Sequence, residues 1–310
     1  MSTALVRARD EAASEAWDER GETGLEQGLR HVISGADDRC LARRPDIRVS
    51  AVEPERRGDT AGCDDRRMRG IDELVNVDDP AWPELQRVLG ASSVPVQVLP
   101  GDIDEGPRCL LQMQVTGRSV LGALALYTGG LLVDDGWLRV FGGGRGSVAD
   151  GRLPSLAQVN CFPADLDPGW HPATGLVVGH DVVGGVFALN GGNPGAAGRP
   201  GGPGQMTYFA PDTLEWEAME TGHSGWVSWL LSGRLETFYG GMRWPGWREE
   251  AAALAFDQGL SVYPFLWSKE ARADLAATSR RPVPMREVLG VAADLARQMG
   301  PSDPGFLGEV

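Results

Sequence analysis

Between residues 175 and 219 four short apolar runs follow one another: Gly175 to Gly179, Val183 to Asn190, Gln205 to Ala210 and Leu214 to Met219. Turn residues separate them, with Asp212-Thr213 before the last. Runs this short between such punctuation read as strands, and closely spaced strands joined by short turns must pair antiparallel. The stretch "LLVDDGWLRVFG" adds two more strands around an Asp135-Gly136 turn, and Val94 to Leu99 alternates like another. These runs commit the chain to a central, mainly antiparallel sheet.

Helical patterns surround them. Asp79 and Pro80 read as cap and first position of a helix that places Trp82, Leu85, Val88 and Leu89 on one side and stops at Gly90. Arg108 to Val115 and Ser119 to Tyr127 read as helices, and Ser224 reads as the cap of a helix carrying Trp226, Trp229 and Leu230. Short helices are expected near Leu235 to Tyr239 and in "WPGWREEAAALAF", then a strand in "GLSVYPFLW". After Pro284, a stripe from Met285 to Met299 has helical spacing and reads as core packing. Residues 142–173 read as mostly loop, and "GGNPGAAGRPGGPG" as a flexible hairpin loop. The expected class is α+β, a central mainly antiparallel sheet flanked by helices in a single domain. Residues 1–67 differ: dense in mixed charge and poor in core formers, they read as a disordered extension. The change at Met68 also fits a translation start there. The domain is expected over 68–300, with a tail over 301–310.

Charge and cysteines narrow the function. The net charge of −14 opposes phosphate backbones, so no nucleic-acid partner is expected, and the same field would draw in a basic protein. Cys40, Cys63, Cys109 and Cys161 form no C-x-x-C pair, which fits a reducing cytoplasm and neither a zinc ribbon nor a disulfide framework. The apolar stretch Val120 to Val133 is too short for a bilayer and is broken by Thr128-Gly129-Gly130.

The chemical motifs are sparse. "FGGGRG" (Phe141 to Gly146) has no Lys and no strand-to-helix context, so it is not a phosphate loop. His171, His180 and His223 lie far apart, without the close spacing of metal ligands, and no metal or cofactor is expected. Cys109 reads as buried and inert. The pair His180-Asp181 opens "HDVVGGVFALNGG"; adjacent strand residues face opposite ways, so Asp181 reads as a turn residue before the strand Val186 to Asn190. Gly184-Gly185 then marks a close backbone approach. Ten tryptophans favour a packed core or an interface. In "RWPGW", Trp244 and Trp247 flank a Pro245-Gly246 turn and are expected to be partly exposed. The candidate binding residues are Asp134, Asp135, His180, Asp181, Trp244 and Trp247, with no catalytic set.

Five segments in order, "IDELVNVDDPAWP", "TGGLLVDDGWLRVFG", "DVVGGVFALNGG", "TYFAPDTLEWE" and "MRWPGW", resemble the bacterial family called domain of unknown function 2625 (DUF2625). The resemblance spans Met68 to Gly300 and implies no activity or catalytic residue. The loop "GAAGRPGGPG" is longer than usual for that family. Residues 174–232, through "DVVGGVFALN", "QMTYFA", "LEWEAM" and "SGWVSWLL", also resemble the SUKH superfamily in pattern. By analogy this implies a non-enzymatic immunity protein that binds a toxin. The competing expectation is a small-ligand binder or enzyme with a Trp-lined cleft carrying the Asp and His candidates.

Overall fold

The apolar runs become one meander. The computed structural model describes residues 68–144, 153–167, 170, 172, 174–299 and 303–310. Seven strands pair antiparallel in sequence order: β1 (Val96–Pro100), β2 (Thr128–Val133), β3 (Leu138–Phe141), β4 (Gly175–Asp181), β5 (Val186–Asn190), β6 (Met206–Ala210) and β7 (Glu215–Ala218). A second ribbon pairs β8 (Gln258–Tyr263) with β9 (Ser279–Pro284) and meets the meander where the Leu260 amide donates to the Val182 carbonyl. The helices are α1 (Ile71–Val75), α2 (Trp82–Gly90), α3 (Glu105–Met113), α4 (Val120–Tyr127), α5 (Leu156–Val159), α6 (His223–Leu230), α7 (Leu235–Phe238), α8 (Trp247–Ala252), α9 (Lys269–Ala273) and α10 (Met285–Met299). This is the expected α+β arrangement. The readings made on residues 1–67, on His171 and on Arg145-Gly146 lie outside the described residues.

Several local expectations shift. Helix α2 starts at Trp82 behind Ala81, not at Pro80, because the Ala81 amide is already held by the Gly117 carbonyl. Helix α6 is capped by Gly222, so His223 and not Ser224 opens it. Strand β9, "SRRPVP", had no strand signal; it forms at the edge of a two-stranded ribbon, where prolines cost no ladder bond. The "GGNPGAAGRPGGPG" segment is more than a flexible loop. It holds a 3₁₀ turn at Pro194–Ala197, and Ala197 and Arg199 are buried.

The register sorts the sheet into two faces. One row crosses β2 to β7 as Leu132, Arg139, His180, Val186, Phe209 and Trp216. The neighbouring row carries Leu131, Val140, Gly179, Phe187, Tyr208 and Glu217, and these side chains point to the other face. On that second face Phe187 packs on Tyr208, on Trp226 and Trp229 of α6 and on Phe238 of α7. Helix α10 buries Met285, Leu289, Ala292 and Ala296, as its stripe predicts.

Helix α4 is apolar all round and is buried from Val120 to Ala125, with Ser119 accepting the Gly122 amide at 2.9 Å as its cap. Its last turn explains "FGGGRG". A Cβ on Gly143 would collide with the Ala125 carbonyl oxygen and come within 3.0 Å of the Gly106 Cα. The glycine lets strand end and helix end touch. Gly143→Ala should therefore cost about 1–3 kcal/mol through overpacking. Gly241→Ala, with open space around it, should stay within about 1 kcal/mol. Equal urea midpoints for the two variants would refute this account.

Candidate functional site

The turn between β2 and β3 builds the first half of the site. Val133 pairs with Leu138, so the connection is the four residues Asp134 to Trp137, two longer than an Asp135-Gly136 turn. Asp134 and Asp135 adopt φ of 54° and 55°, and Gly136 80°. Aspartate tolerates this left-handed region better than most side chains. The turn drives Trp137 into full burial and turns the Asp134 carboxylate inward, where it meets Arg243 at 2.6 Å.

Arg243 sits in a cage. Its guanidinium carbon lies 3.9 Å from the Trp247 ring centroid, 4.8 Å from Tyr239 and 4.9 Å from Trp137. Its Nε has no acceptor, so the ring faces replace hydrogen bonds that a buried guanidinium would otherwise lack. Burial lowers its pKa, and the Asp134 charge opposes that shift. Trp244 packs against Trp137, donates its indole N–H to Glu250 at 2.9 Å and lies under Arg280. Trp244 and Trp247 are therefore 2% and 7% exposed, contrary to the expected exposed turn. Arg243 and Trp137 take up the indole faces that Pro245-Gly246 would have presented to water.

Asp181 builds the second half. It ends β4 and leads into the β4–β5 turn that the sequence indicates, but is fully buried there. Oδ1 accepts the amides of Val183 at 3.1 Å and Gly185 at 2.7 Å, and Oδ2 accepts the hydroxyls of Tyr208 at 2.7 Å and Tyr239 at 3.1 Å. Burial pushes the carboxyl up from its ordinary value, and these four donors pull it back. A Cβ on Gly185 would overlap both Oδ2 and the Tyr208 hydroxyl, which is why the close approach read from Gly184-Gly185 needs glycine there.

Tyr239 touches both halves. Asp134, Asp181, Trp244 and Trp247 thus come together around Trp137, Tyr239 and Arg243. Asp135 lies at the rim, 3.4 Å from the exposed Arg248. His180 does not join them. It faces the other side of the sheet, beside Phe141, with Nε2 at 3.0 Å from the Leu307 carbonyl. A carbonyl only accepts, so Nε2 carries the proton of a neutral ring. Among the described residues no three of His, Cys, Asp and Glu gather as a metal ion would need, and no helix is long and apolar enough to cross a membrane.

Residues 71–288 match the family model described as "Protein of unknown function DUF2625". The chain belongs to the DUF2625 family. It is 40% identical over 212 residues to the putative uncharacterized protein YbfG of Escherichia coli K12, covering 66% of this chain and 89% of that one. An uncharacterized Haemophilus influenzae protein is 30% identical over 199 residues, covering 64% and 83%. No solved structure matches the chain. Asp134, Asp181, Arg243 and Tyr239 all lie inside the DUF2625 match.

The sequence reading missed Arg243, Tyr208 and Tyr239, and weighed His223 only as a metal ligand. A signal existed for the tyrosines: only four occur in the chain, and a tyrosine in a buried run needs an acceptor. His223 gave none. It is 8% exposed, packs on Trp226, and neither ring nitrogen has a hydrogen-bond partner.

Two outcomes follow for this DUF2625 core. Arg243→Ala and Asp134→Ala should each cost about 3–5 kcal/mol, because each leaves a buried charge unpaired. The double variant should cost clearly less than their sum, and an additive double-mutant cycle would show that the pair is not coupled. The second concerns acid. Burial lowers both His180 and His223 from 6.5 to about 4. Between those values the unfolded chain binds protons that the folded one refuses. Stability is therefore full above about pH 6.5 and falls as pH drops toward 4, by roughly 3 kcal/mol per imidazole. His223→Phe gives up no hydrogen bond and should flatten the slope of stability against pH by about half. A slope unchanged in urea titrations at pH 7, 6 and 5 would remove His223 from this account.

Proposed function

We propose that the chain is a non-enzymatic protein-binding domain that takes a basic protein, in its sharper form a toxin neutralised in the manner of SUKH immunity proteins. The observation that carries this reading is how the candidate chemistry is used. Asp181 is saturated by four donors, Asp134 is held by Arg243, and the Trp-lined space that a ligand would need holds that arginine. These groups hold elements together and keep their charges from water.

The surface supports the same reading. Strand β7 is the outer strand of the sheet, with Glu215 exposed and Glu217 half-buried on it, and exposed Glu220 follows it. An edge strand offers unpaired backbone groups, and flanking carboxylates favour a cationic partner. Within a chain of net charge −14, this edge is the surface best suited to a basic strand.

Affinity capture from native lysate, using the full chain as bait, tests the proposal. A stoichiometric basic partner is expected, retained at low salt and released as salt rises. The double variant Glu215→Gln, Glu220→Gln should retain several-fold less of it. Reproducible absence of any stoichiometric partner, or a complex indifferent to both salt and the variant, would sink the reading.

A further inference from the structure

The sheet face that carries His180 is covered in part by the last described segment, Asp303–Val310. The way it is held differs from core packing. Three side chains from separate elements donate to backbone carbonyls of this segment. The Trp216 indole donates to Pro304 at 2.9 Å, Arg199 Nη2 to Phe306 at 3.0 Å, and His180 Nε2 to Leu307 at 3.0 Å. In return the Glu309 amide donates to the Val159 carbonyl at 2.9 Å. Two side chains anchor it: Pro304 and Leu307 are buried, while Asp303, Gly305 and Glu309 are exposed.

The receptor side is built for this. Arg199 is 3% exposed and stacks 4.6 Å over Trp216, with Nη1 bonded to the Thr174 carbonyl, so its free edge is aimed at the segment. His180 and Trp216 belong to the same register row, with apolar Val186 and Phe209 between them. A Cβ on Gly308 would come within 3.1 Å of His180 Nε2, so the segment lies flat on the imidazole. A face meant only for burial would use apolar side chains. One that offers three hydrogen-bond donors to the carbonyls of an irregular backbone, turned at Gly305 and Gly308, reads main chain, and takes specificity from the two anchor side chains. Arg199, His180 and Trp216 lie inside the family match, residues 71–288, and the segment lies outside it.

We propose that this face is a peptide-binding groove. Its ligand class is a short peptide with buried Pro and Leu three positions apart and a glycine after each, and Asp303–Val310 is its resident, displaceable occupant. Opening the groove leaves its donors facing water, where they are solvated and not stranded. The occupant is apolar with acidic ends, unlike the basic partner proposed for the edge of β7, which shares only Trp216 with this groove, and the test of the groove needs no partner.

The probe is the synthetic decapeptide PSDPGFLGEV, residues 301–310, labelled with fluorescein and followed by anisotropy. In the unaltered full chain the resident segment competes at millimolar effective concentration. In full-length Leu307→Asp the buried anchor is lost and the groove opens. Leu307→Asp should bind the probe about a hundredfold more tightly than the unaltered chain, as removal of a competitor at millimolar effective concentration allows. A probe carrying the same Leu→Asp change should not bind. No saturable binding to a Leu307→Asp chain with unaltered circular dichroism would overturn the proposal. Equal binding by the two chains would do so as well. Should Leu307→Asp fail to fold, full-length Trp216→Phe, which removes one donor to Pro304, should speed hydrogen exchange at the Glu309 amide. Unchanged protection there would overturn the proposal by itself.

Discussion

A single buried carboxylate ties together a hairpin turn, a neighbouring strand and the end of a helix. Asp181 draws its four donors from the β4–β5 turn, from β6 and from the residue after α7. A carboxylate removed from water is tolerable only when its lone pairs are met, and here four donors meet them. Once Tyr239 is fixed by Asp181, its ring becomes one wall of the cage around Arg243. Arg243 then holds Asp134, and through it the turn that delivers Trp137 to the core. The order of dependence runs from a hairpin turn to a helix end, then to a second hairpin turn two strands away.

That chain of dependence explains which features could be read from sequence. The strands were legible because period, length and turn residues are local, and the meander follows from turns too short for a crossover. The position of Asp181 in a turn was legible for the same reason. The Asp181 acceptor shell was not, because its donors lie 27 and 58 residues away and no spacing rule connects them. The same limit misled the reading of "RWPGW". Pro-Gly correctly indicated a turn, but its exposure depended on Arg243 folding back over Trp247 and on Trp137 arriving from the β2–β3 turn. Helix α2 shows a milder form: a good local cap at Asp79 lost to the bond that the Ala81 amide donates to the Gly117 carbonyl.

His180 and Asp181 separate two environments, and the pleat is the cause. Adjacent residues on a strand face opposite ways, so the pair that looks like a catalytic dyad in one dimension is divided by the sheet in three. Asp181 belongs to the aromatic side, where the hydroxyls of Tyr208 and Tyr239 and the amides of Val183 and Gly185 meet both carboxylate oxygens. His180 belongs to the side where Arg139 reaches the carbonyls of Phe256 and Gln258, and Arg199 reaches Thr174 and Phe306.

The two sides differ in what holds them shut. On the aromatic side Asp181, its four donors and the Asp134–Arg243 pair all lie inside the family match, and each charge is met within the fold. A change there propagates into the β2–β3 and β4–β5 turns and lowers stability. On the His180 side the cover is a short segment held through its backbone by three side-chain donors and two anchors. Removing it exposes groups that water can satisfy, so this side can open without the sheet coming apart. Binding that needs surface to be uncovered therefore belongs to the His180 side, while the buried carboxylates of the other side serve to keep the scaffold rigid beneath it.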